Sequence, residues 1–63
     1  MGAIERSGYV FEPEYSVISQ DGAIHVYHKG EFIEEIKFSF VGEQPELDQI
    51  ENLIDEFCNK NEL

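Results

Sequence analysis

The stretch YSVISQDGAIHVYH, Tyr15 to His28, decides the fold, because Asp21-Gly22 stands between two β-rich runs. Asp-Gly tolerates the positive φ that a type I′ turn demands at both central positions, and between alternating apolar residues it is the strongest short-range hairpin signal. A two-residue loop there fixes the register. Val17 faces Val26, Ser19 faces Ile24 and Tyr15 faces His28 on one side of the ribbon, with Ile18 opposite His25 and Ser16 opposite Tyr27 on the other.

Downstream, Lys29-Gly30-Glu31 reads as a three-residue connection with Gly30 left-handed, leading into the run Phe32 to Phe40. Phe32, Ile36, Phe38 and Phe40 share one parity. Glu34 falls on it too, so it either sits at an exposed end of that face or is re-aimed by a bulge around Glu34-Glu35. Upstream, Tyr9-Val10-Phe11 prolongs the first strand or forms an edge segment of its own, Pro13 marks an edge or break, and residues 1–7 are expected to be loosely ordered.

After Gly42 the apolar period changes from two to about 3.6. Leu47, Ile50, Leu53, Ile54, Phe57 and Cys58 fall on one arc of a helix that Pro45 opens at its first turn, with Glu46 and Asp48 near its start and Lys60 in its last turn, as the helix dipole favours. The expected fold is α+β: a three-stranded antiparallel β-meander over 9–41 with one C-terminal helix, 45–61, packed on one face. All 63 residues form one domain. The helix covers the side carrying Phe32, Ile36, Phe38, Phe40, Val17, Ile24 and Val26, since three strands need a second layer to be stable in water.

Fourteen Asp and Glu against four Lys and Arg give a formal charge of −10, while 41% hydrophobic residues argue against disorder. Such a chain repels phosphate backbones and anionic lipid, and no apolar run approaches the roughly 20 residues of a membrane span. Direct nucleic-acid and membrane binding are therefore not expected. With one cysteine and no secretion signal, a cytoplasmic location follows.

Candidate chemistry is sparse. His25 and His28 lie three apart, a spacing that suits a helix; on a strand they point to opposite faces and cannot share an ion. A cross-strand contact of His25 with Glu34 or Glu35 is more plausible, and two ligands fall short of the four that close a structural zinc site. Cys58 lies on the apolar stripe near the helix C-terminus, where a thiolate is disfavoured, so it reads as a core residue. No phosphate loop, triad context or zinc spacing occurs, and no cofactor or enzymatic activity is expected.

Two surfaces remain. Asp48, Glu51, Asp55 and Glu62 fall in a narrow arc opposite the helix stripe, either a solvated face or an acidic ridge that docks on a basic protein surface. Ile18, Ala23, Tyr27, Ile33 and Val41 gather on the sheet face away from the helix among Ser16, His25, Glu35, Lys37 and Ser39. Either residues 1–11 fold back over that face, or a partner covers it. The reading is a small acidic protein-interaction module, an inhibitor or adaptor; the alternative is a structural homodimer joined through this face or the edge strand.

From MGAIERSGY through FEPEYSVI and IHVYHKGEFIEEIKFSF the chain resembles a family of short proteins from Bacillus and related Firmicutes, a domain of unknown function. The resemblance implies a bacterial cytosolic origin and carries over no functional residues.

Overall fold

The computed structural model describes residues 2–63. Four strands form an antiparallel meander in the order β1-β2-β3-β4: β1 Ile4–Arg6, β2 Tyr9–Ser16, β3 Asp21–His28 and β4 Glu31–Ser39, followed by helix α1 Leu47–Lys60. The sheet thus has one strand more than the sequence suggests. The additional strand arises at Ser7-Gly8, where both residues have positive φ, 55° and 82°, as a two-residue hairpin turn requires. Ile4, Glu5 and Arg6 then pair with Phe11, Val10 and Tyr9, so three residues of the segment expected to be loose are ordered as an edge strand. Lys29-Gly30 closes the third hairpin in the same way, with φ of 52° and 81° and His28 paired with Glu31. That loop has two residues, not three.

Asp21-Gly22 does not turn. It lies inside β3, paired with Ser16 and Tyr15, and the chain reverses through the four-residue loop Val17 to Gln20. The resulting register sets Phe11 against Val26 and Pro13 against Ile24, in place of Val17 and Ser19. Phe11 is fully buried whereas Val17 remains exposed. Burying a phenylalanine contributes about 1.5–3 kcal/mol, which outweighs the preference of one dipeptide for a turn. Locally, Gln20 adopts φ 56°, its N–H donates to the Ser16 carbonyl at 2.9 Å, and Ser16 Oγ accepts the Ser19 N–H at 3.2 Å. The Gln20 side chain then clamps the loop to the β4–α1 connection, donating to the Val17 and Gly42 carbonyls and accepting the Gly42 N–H.

Gly22 is glycine for a different reason from turn geometry. A Cβ there would collide with the Glu14 carbonyl and stand 2.7 Å from the Phe38 ring, so β3 passes beneath Phe38 only without a side chain. Pro13 is likewise not a break. The Phe40 N–H bonds to the Gln20 carbonyl, so even-numbered β3 residues direct their backbone groups to β4 and odd-numbered ones to β2. Pro13, opposite Ile24, therefore has no donor to supply to β3, and β1 does not extend far enough to ask for one.

One sheet face packs on the helix through Phe11, Ile24, Val26, Phe38 and Phe40, which meet Ile50, Ile54, Phe57 and Cys58. Phe57 makes edge-on contacts with Tyr9 and Phe11, and Tyr9 stacks on His28 at 4.3 Å. Three residues expected in this core leave it: Val17 and Phe32 from the sheet face and Leu47 from the helix stripe, Val17 because it lies in the β2–β3 loop. A bulge at Ile33 shifts the pairing from Val26–Glu34 to Tyr27–Phe32, turning Phe32 to the opposite side; Leu47, in the first turn of α1, points to solvent. The helix begins after Glu46, with buried Pro45 one residue before that cap and buried Ile50 one turn in, the two positions of a hydrophobic staple. Gln49 Nε2 ties this end to the Ser39 carbonyl at 2.6 Å.

Candidate functional site

The helix ridge loses half of its expected character. Asp48 is exposed in the first turn and Glu51 is half-buried, but Asp55 forms an ion pair with Arg6 of β1, so its charge is matched within the chain. Glu62 leaves the column. The helix ends at Lys60, and Glu62 takes φ 56° in a C-terminal wrap in which its N–H donates to the Asn59 carbonyl and that of Leu63 to the Cys58 carbonyl. Two carboxylates on α1, Asp48 and Glu51, remain of the four.

The helix-free face gains what the ridge loses. Strand alternation places Glu5 of β1, Val10, Glu12, Glu14 and Ser16 of β2, Asp21, Ala23, His25 and Tyr27 of β3, and Phe32, Glu35, Lys37 and Ser39 of β4 on it. Val10, Tyr27 and Phe32 form one cross-strand row. Tyr27 and Phe32 meet edge to face at 5.9 Å, yet Phe32 stays 57% exposed. The other residues expected here scatter: Ile18 is 99% exposed at the tip of the β2–β3 loop, Val41 projects from the β4–α1 connection, and Ile33 is the extra residue of the bulge. Of the apolar residues expected on this face, Tyr27 and Ala23 lie there; Val10 and Phe32 join them through register details that the periodicity did not encode. Residues 2–11 do not cover the face, because β1 extends the sheet sideways; Met1 lies outside the described residues.

Beside the apolar row lies a charged one. Glu12, His25 and Glu35 are cross-strand neighbours, His25 Nε2 is 3.0 Å from Glu35 Oε2, and His25 Nδ1 is 3.5 Å from Glu14 Oε2. The expected His–Glu contact therefore forms with Glu35. Glu34 points to the covered side and lies 3.9 Å from Lys60. Around His25 an open trough of about 560 Å³ is lined by Glu14, Ser16, Asp21, Glu35 and Lys37 among others. It is a surface depression with charged walls. Among the described residues no three His, Cys, Asp or Glu side chains converge to hold an ion. Cys58 is buried on the covered side, so the sheet separates it from His25 and the two form no nucleophile–base pair. Among the described residues no helix is long and apolar enough to cross a membrane.

The face thus carries a partly exposed apolar row with Glu5, Glu12 and Glu35 next to it, and Glu14 and Asp21 farther along the sheet, against one lysine, Lys37. A relative shares the sequence along its full length. The chain is 62% identical over 63 residues to the uncharacterized protein YbxH of Bacillus subtilis (strain 168), covering 100% of both. No solved structure matches it. The model of DUF5370, described as a family of unknown function, matches residues 1–63, and the chain belongs to that family.

Proposed function

We propose that this chain is a non-catalytic, acidic interaction module that docks on a basic protein surface through the helix-free face of its sheet. One observation carries the reading: the Val10–Tyr27–Phe32 row has no covering layer, and Glu5, Glu12 and Glu35 lie beside it on the same face. Solvated sheet faces normally alternate to polar residues, and an apolar row with a polar rim is the anatomy of a protein contact. The rim selects the partner. Carboxylates at the edge of an apolar contact raise the association rate toward a positive surface and repel a negative one. A second copy of this chain closing face on face would oppose like charges, so a basic partner fits this surface better than a homodimer does.

The helix carboxylates Asp48 and Glu51 act at most as a secondary contact in this reading. The test is affinity capture from native cell extract at low and high salt with three forms of the chain: native, Glu12→Lys/Glu35→Lys on the bare face, and Asp48→Lys/Glu51→Lys on the helix. Basic proteins are expected on the native chain at low salt, released by high salt. The bare-face variant loses them and the helix variant keeps them. Loss confined to the helix variant overturns the assignment of the face.

A further inference from the structure

We propose that two copies of this chain pair through the outer edge of β4, antiparallel and centred on Ile36, to join their sheets into one. The two edges of the sheet differ: β1 offers three residues and β4 offers nine. Because the Phe40 N–H bonds to the Gln20 carbonyl, Phe38, Ile36 and Glu34 direct their backbone groups inward to β3, while Ser39, Lys37 and Glu35 direct theirs outward. The Ser39 carbonyl is taken by Gln49. Glu35 and Lys37 thus carry the open donors and acceptors of this edge.

A second β4 must match outward residues with outward residues, and two-fold symmetry then leaves three centres on this segment. Centring on Glu35 opposes two glutamates, and centring on Lys37 opposes two lysines. Only Ile36 sets each Glu35 against the Lys37 of the other copy, twice, and opposite charges stabilise such cross-strand pairs whereas like charges destabilise them. The side chains are free to do this. Among the described residues Lys37 has no carboxylate within ion-pair distance, and Glu35 uses Oε2 for His25, leaving Oε1. On the covered side, Ile36 meets its copy at the closer, non-hydrogen-bonded spacing. There it borders a cleft of about 120 Å³ against Leu53 and Phe57 that a second copy would close. The ladder has a natural length, since the bulge at Ile33 lies just outside Glu34 to Phe38, the five residues symmetric about Ile36. The inference rests on the edge of the sheet and not on the basic-partner reading, so either can fail alone.

Sedimentation equilibrium of the isolated chain from micromolar to millimolar concentration tests it, with folding of each variant checked by circular dichroism. The native chain is expected to form dimers. Lys37→Glu weakens the dissociation constant roughly tenfold or more, the double swap Glu35→Lys/Lys37→Glu restores it, and Lys29→Glu, which changes net charge equally at the β3–β4 turn, leaves it near native. A native chain that stays monomeric throughout overturns the proposal. So does a double swap that fails to restore pairing, or Lys29→Glu weakening the dimer as much as Lys37→Glu.

Discussion

The two faces of the sheet are built from the same strands and end in opposite states. On one, Phe11, Ile24, Val26 and Phe38 are sealed by α1; on the other, Val10, Tyr27 and Phe32 form an apolar row with no covering layer and a rim of carboxylates. The covered face holds the fold together. The bare one carries charge and apolar surface that folding alone does not require, which is why the functional reading belongs there.

Substitutions on the covered face are the most forceful way to break this division. Phe11→Ala is expected to cost about 3–5 kcal/mol, much of the roughly 3–9 kcal/mol that a domain of this size has in total, measurable as a collapse of the urea midpoint. Gly22→Ala comes next, at about 1–3 kcal/mol, because the added methyl meets the Glu14 carbonyl and the Phe38 ring. A loss within error there would mean that β3 does not pass beneath Phe38 as described. Gly30→Ala, with φ at 81°, is expected to cost about 1–2 kcal/mol by the left-handed strain it imposes.

The legible parts of the fold follow from parity. The β2–β3 pairing lies six residues from the one that an Asp21-Gly22 turn implies, and because six is even, Ile24 and Val26 still face the helix and His25 and Tyr27 still face away. The helix and its buried Ile50, Ile54, Phe57 and Cys58 were equally plain, since a 3.6-residue period survives small errors in its ends. What the periodicity hid was any one-residue event. The bulge at Ile33 reverses Phe32, and Ser7-Gly8 creates β1; the second had a visible signal in a small-residue dipeptide between Arg6 and Tyr9, whereas the first had only the misplaced Glu34. The acidic ridge is thinned for another reason. A helical wheel cannot see that Arg6, distant in sequence, comes to lie against Asp55.

On the bare face the same scale of change should barely move stability. Phe32→Ser is expected to change it by about 0.5 kcal/mol or less, because its ring is largely in water, while abolishing capture of the basic partner. Asp55→Asn is the smallest effect, about 0–1 kcal/mol for an ion pair that is partly exposed on both sides. It should leave partner capture intact, and a marked loss of capture would return weight to the helix.

The most direct test is amide chemical-shift mapping of the isotope-labelled chain titrated with the captured partner. Perturbations are expected to centre on Val10, Glu12, His25, Tyr27, Phe32 and Glu35, with α1 between Asp48 and Asp55 little changed. Perturbations confined to α1, with that row unmoved, would contradict the assignment to the bare face.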